Sequence, residues 1–393
     1  MVHLLLAVIY LAFIGLGLPD SMLGAAWPSM YGALGAPVSY AGMVSMVIAA
    51  GTVTSSLLSD RMIRRFGAGL VTAVSVGLTA LAMFGFSMSR AFWMLCLWAV
   101  PYGLGAGSVD AALNNFVALH YASRHMSWLH CMWGLGSCIG PQLLGRVLTG
   151  GGSWDQGYRL VALIQTALTA ALFLSLPLWR AKQGPAGQAA ASAPALTLRQ
   201  VLALPGAKAA MATFFCYCAV EQTTMLWGSS YLHLYRGIPA ETAASYGTLF
   251  FLGGTTGRLI SGFLSIKLSD RRLVHTGLVV TAVGIAAVLL PLNAAPAGLF
   301  IIGLGCGPTF PALIHATPDN FGAERSQSVI GVQMASAYVG TCLMPPLFGL
   351  IASRIHIALL PAYLLVFLAL LILSHELLLR AASGRAQGHA ARR

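Results

Sequence analysis

The chain has 393 residues, 58% of them hydrophobic and only 8% charged, with a net charge of +12. A mean hydropathy of +0.79 excludes a water-soluble domain. The basic residues fall in short clusters between apolar runs, which marks membrane topology and not a nucleic-acid-binding face.

Met1 to Leu18 is apolar but lacks a basic leading region, and its pattern runs on past Asp20. A retained first span is therefore expected, not a cleaved signal. A membrane-crossing helix needs about 20 apolar residues. Such runs lie at 3–30, 39–59, 68–88, 91–119, 127–148 and 158–179, then at 208–234, 242–266, 272–291, 296–317, 326–351 and 357–379. The pattern predicts an all-α membrane protein of 12 transmembrane helices in two six-helix halves. The first bundle covers 1–180, a low-complexity linker 181–205, the second bundle 206–380 and a disordered basic tail 381–393.

Of the 22 Lys and Arg residues, sixteen fall in loops on the side of the N-terminus, five on the other side, and Arg258 lies within a span. The positive-inside rule then puts both termini in the cytoplasm. The two halves echo each other: Gly103-Leu104-Gly105-Ala106-Gly107 recurs as Gly303-Leu304-Gly305-Cys306-Gly307, and Gly51 to Arg61 aligns with Gly257 to Lys267. Glycines one turn apart allow a neighbouring helix to approach closely, and a duplicated six-helix bundle suits a secondary transporter.

Three acids sit inside apolar spans: Asp20 after Pro19, Asp110 in the glycine-rich fourth span, and Glu221 in the seventh. An intramembrane acid costs about 2.5–3.5 kcal/mol on insertion scales and marks a functional position by default. All three are candidates for proton coupling, set against helix capping for Asp20 and helix-to-helix bonding for Glu221. A polar substrate needs hydrogen-bonding groups and flat apolar faces. Asn114, His130, Gln222 and Gln333 are candidates for the first, and Trp27, Trp133 and Trp227 for the second.

Nothing points to a metal or a cofactor. His120, His125 and His130 are spaced by five and do not share a helix face. The seven cysteines all fall in apolar segments, with no disulfide framework. No Walker A loop, nucleophile elbow or dinucleotide fingerprint is present, so an enzyme is not expected. Gly307-Pro308 and Pro311 break the tenth span, as a hinge or a packed kink.

Asp60-Arg61 followed by Arg64-Arg65, after the second span, resembles the signature of the major facilitator superfamily, with Ser56 and Ile63 where that pattern has glycines. The resemblance implies a conformational gate in which Asp60 pairs with basic groups, Arg61, Arg64 and Arg65 among the basic positions. Gly103-Leu104-Gly105 with Asp110, Asn114, Phe116 and Val117 resembles the fourth helix of the fucose–galactose–glucose proton symporters, whose first helix carries an acid matching Asp20. His130 stands where the fucose symporters have glutamine. The resemblance implies proton-coupled symport of a sugar or similar small polar solute. The expected partners are protons, a small-molecule substrate and the lipid bilayer. The chain is expected to act as a monomer in the cytoplasmic (inner) membrane. Proton-driven export of a drug or metabolite is the alternative, and a non-transporting sensor on the same fold a more distant one.

Overall fold

The computed structural model describes residues 2–37, 40–182, 195–290 and 295–390. Apart from short 3-10 stretches at Tyr40 and at Ile357–Leu359, the regular structure among them is α-helical. In a bilayer an isolated strand leaves its backbone polar groups unpaired, whereas a helix satisfies them internally. The first half comprises α1 (Val2–Asp20), α2 (Met22–Met30), α3 (Ala41–Phe66), α4 (Ala68–Met88), α5 (Phe92–His120), α6 (Ser123–Thr149), α7 (Trp154–Leu174) and α8 (Leu176–Lys182). After the linker come α9 (Leu198–Ala203), α10 (Ala207–Leu234), α11 (Ala240–Leu264), α12 (Asp270–Val288), α13 (Ala295–His315), α14 (Thr317–Phe321), α15 (Ala323–Arg354) and α16 (Leu360–Ala390).

Nine stretches among the described residues are long and apolar enough to cross a membrane. Three further long helices, α6, α10 and α11, have 27, 28 and 25 residues and are more polar. They are the helices that carry His130, Glu221 and Arg258. The chain divides into two compact units, one of residues 1–120 and 129–195, the other of 121–128 and 196–393.

In the first unit, α5 packs against α3 and α4, and α4 against α7. The glycines of α5 set these distances. A Cβ on Gly103 would stand 2.2 Å from the Ile48 carbonyl oxygen on α3, and one on Gly105 would stand 2.6 Å from the Ser75 oxygen on α4. The second unit repeats the device. A Cβ on Gly303 of α13 would meet the Phe250 oxygen of α11 at 2.1 Å, and one on Gly305 would crowd Thr281 of α12. The duplicated glycine run is therefore a packing seam used twice.

The first span is broken, not merely kinked: α1 ends at Asp20, and α2 starts at Met22. Pro19 has no N–H to give to the Gly15 carbonyl. Gln165 of α7 supplies the missing donor through its side-chain amide. Between α3 and α4 the chain turns on one residue, Gly67, at φ 82°. That left-handed conformation suits glycine.

The core of the linker, 183–194, lies outside the described residues. Its end forms α9, opened by a capping box between Thr197 and Gln200. The last helix runs on to Ala390, into the stretch read as a disordered basic tail. Residues 391–393 lie outside the described residues.

Candidate functional site

Two polar clusters lie in the first unit. Asp20, the last residue of α1, holds two donors. The Tyr102 hydroxyl donates to Oδ1 at 2.6 Å and the Trp133 indole to Oδ2 at 2.8 Å. The break after Asp20 leaves its side chain exposed, so this carboxylate is both anchored and reachable. Trp133 thus meets Asp20 through its N–H.

The second cluster is buried. Asp110 and Asn114 stand one turn apart on α5, and the Asn114 amide donates to Asp110 Oδ1 at 2.7 Å. The Asn114 oxygen then faces His130 Nε2 at 3.0 Å. An amide oxygen only accepts, so His130 donates from Nε2 in this arrangement. The three residues are 6%, 0% and 7% exposed. A carboxylate, an amide and an imidazole thus form one directed, buried hydrogen-bond chain, with Phe13 edge-on to the imidazole at 5.4 Å. A change of protonation at Asp110 alters the bond to Asn114, and through it the bond to His130.

In the second unit the acid is differently placed. Glu221 Oε1 accepts from Arg258 Nη2 of α11 at 3.0 Å and from the Tyr217 hydroxyl at 2.9 Å. The Tyr217 hydroxyl also lies 3.0 Å from the Cys306 carbonyl. The Arg258 and Glu221 side chains are 11% and 14% exposed.

The remaining sequence candidates separate. Trp27 packs in the apolar core with Leu18, Met22, Met83 and Phe86. Trp227 spends its N–H on the Pro345 carbonyl at 2.9 Å and packs on Phe348, joining α10 to α15. Gln333 is buried and receives the Thr317 hydroxyl at 3.1 Å. Gln222 is half-buried beside Glu221 in the chain. On α3, Asp60 is buried and pairs with Arg64 one turn on at 2.7 Å. Arg61 is exposed, and Arg65 lies over the Phe66 ring at 5.3 Å.

Sequence reasoning did not assign roles to Tyr102 or Arg258. The signal for Arg258 was present, because a cation inside an apolar span needs a counter-charge. Tyr102 gives no such signal, since it pairs with Asp20 across 82 residues. Among the described residues no group of three or more His, Cys, Asp or Glu is placed to hold a metal ion.

Long apolar helices built around a few hydrogen-bonded acids suit a polytopic membrane protein. The family model of the Major Facilitator Superfamily matches residues 9–265 and 231–391. The chain belongs to the major facilitator superfamily.

Bypass of stop codon protein 6 of Saccharomyces cerevisiae is 21% identical over 401 residues, covering 93% of this chain and 80% of that protein. The fold is similar to that of the proton:xylose symporter XylE, with a TM-score of 0.79, 11% identity, and 96% and 95% of the two chains covered. It is also similar to the E. coli fucose:proton symporter FucP, with a TM-score of 0.69, 14% identity, and 94% and 98% covered.

Proposed function

We propose that this chain is a proton-coupled symporter of a sugar or similar small polar solute, working by alternating access. The observation that carries the reading is the buried chain Asp110–Asn114–His130. A lone acid at this depth is costly, and here it is wired to two groups that reorganise with its charge. Membership of the superfamily supports the reading, as does the likeness to a xylose and a fucose symporter.

In this scheme Asp110 takes up and releases the coupled proton. Asp20, held by Tyr102 and Trp133 yet exposed, receives substrate hydroxyls. Glu221 acts as the counter-charge of Arg258, because neutralising it would strand a buried guanidinium. The two six-helix halves then follow the two units except for the start of α6, which lies in the second unit, with α6, α10 and α11 crossing the membrane alongside the nine apolar spans. The excess of basic residues on one side supports cytoplasmic termini in a cytoplasmic (inner) membrane.

The test is uptake into proteoliposomes with and without an imposed pH gradient. Asp110→Asn keeps size and polarity but fixes the neutral state. Proton-driven accumulation is expected to be lost, while exchange between equal substrate pools survives. Accumulation against a gradient by Asp110→Asn would remove Asp110 from the coupling role.

A further inference from the structure

We infer that His315 is a proton-binding site that fastens the segment Tyr121–Trp128 to the C-terminal helices. His315 is the last residue of α13, and Asp270 is the first of α12. His315 Nδ1 lies 2.6 Å from Asp270 Oδ2, and Nε2 lies 3.0 Å from the Tyr121 carbonyl oxygen. The other Asp270 oxygen accepts the Ser123 hydroxyl. The segment 121–128 belongs to the same compact unit as these helices.

Counting protons shows what these contacts require. A backbone carbonyl and an ionised carboxylate can only accept, and a neutral imidazole has one N–H. Two acceptors on the two ring nitrogens therefore require one proton more than a neutral His315 beside an ionised Asp270. The count is the same whether that proton sits on the ring or on the carboxyl. The His315 and Asp270 side chains are 17% and 13% exposed, so water is poorly placed to substitute for a lost bond. When the proton leaves, the remaining N–H goes to the carboxylate, the stronger acceptor. Nε2 then turns a lone pair on the Tyr121 carbonyl, and that bond is lost.

The surroundings fit a latch. At its far end the segment docks by apolar contact. The Trp128 ring sits where a Cβ on Gly262 would be, 2.0 Å from its Nε1, and meets Phe263 edge-on at 5.5 Å. Tyr121 and Ser123 make the polar end. A cavity of about 340 Å³ borders Ser123 and Asp270 but not His315, so the carboxyl is the member of the pair from which the proton can leave.

Among the described residues, Arg271 beside Asp270, Asp319 on α14 and His375 on α16 border the same cavity, and Arg272 follows in the first turn of α12. His275 and Glu376 are bonded to each other at 2.6 Å. Within the segment, Arg124 donates to His125 at 3.4 Å, an exposed contact. Among the described residues, it is His315 that bridges the segment's backbone to an acid of the C-terminal helices through its two ring nitrogens.

The experiment is hydrogen exchange on the full-length protein from pH 5 to 9, read as protection factors so that intrinsic exchange rates cancel. In the wild type, protection of peptides spanning 121–128 is expected to fall by up to about tenfold per pH unit once the site empties, the slope of one linked proton. Peptides of α3 serve as the control and are expected to stay flat. His315→Gln is expected to leave the segment weakly protected at every pH. Asp270→Asn is expected to do the opposite: its amide donates to Nδ1, the neutral ring keeps Nε2–H on Tyr121, and protection holds at its acid-pH level throughout. A slope that persists in either variant, or is absent from the wild type, overturns the inference.

Discussion

Replacing Arg258 by methionine tests what the second unit's acid does. The pair is separated by 3.0 Å, with side chains 11% and 14% exposed. At an effective dielectric of about 20, unit charges at that distance attract by about 5 kcal/mol. Desolvating each ion costs several kcal/mol, so the intact pair is close to neutral relative to an apolar pair. Removing one partner is different, since the other charge stays buried: about 3–5 kcal/mol is lost. With unfolding entropy scaled to 393 residues, that corresponds to a fall of about 4–6 °C in Tm. Arg258→Met is expected to show this fall, and the double variant with Glu221→Gln is expected to recover most of it. The assay is thermal unfolding of the purified single and double variants in one detergent. A double variant as unstable as Arg258→Met, or an unperturbed Arg258→Met, would refute the counter-charge role.

Other outcomes follow from the same geometry. Gly103→Leu is expected to lower Tm sharply, because its Cβ alone would stand 2.2 Å from the Ile48 oxygen. Gly24→Ala, whose Cβ meets nothing within 4 Å, is expected to be neutral or to stabilise by about 0.4–1 kcal/mol. Gln165→Leu strands the Gly15 carbonyl left open by Pro19 and is expected to cost about 1–3 kcal/mol in thermal or denaturant unfolding. His130→Gln keeps a donor for Asn114 and is expected to retain uptake, whereas His130→Leu removes that donor and is expected to lose it. Reporters placed in 183–194 and after Arg393 are expected on the cytoplasmic side, and one at Ala36 on the other. An external linker reporter would contradict the charge distribution.

How far the sequence can be read depends on how local each signal is. Gly103 and Gly107 share a helix face by spacing alone, so a close helix approach along that face is legible from the residues themselves. The same holds for Asp110 and Asn114, one turn apart. Partners across the fold are not legible. Tyr102 reaches Asp20 from 82 residues away, and Tyr121 reaches His315 from 194. A tryptophan inside a span packs in a core more often than it meets a ligand, and composition does not separate the two; Trp27 lies in the core. The broken first span is half legible: Pro19 announces a bend, but only Gln165 on a distant helix shows how the freed carbonyl is satisfied.

The duplicated scaffold carries different chemistry in its two copies. Counting on 200 residues from the glycine run, Phe310 stands where the first copy has Asp110, and Ile314 where it has Asn114. Phe310 packs on Phe214 and Tyr217 at 5.3 and 5.2 Å, so the buried acid of one copy is an aromatic contact in the other. In the Gly51–Gly257 alignment, Thr52 answers to Arg258. Thr52 bonds its own helix at the Ile48 carbonyl, while Arg258 holds Glu221 on the neighbouring helix. The glycine seam therefore sets how close the helices lie in both copies, while residues beside the glycines differ in chemistry between the copies. In the proposed scheme a relay that changes with one proton sits in the first copy, and an ion pair holds two helices together in the second. Coupling in the proposed scheme is thus a property of α5 and α6, which is where substitutions should separate proton movement from folding.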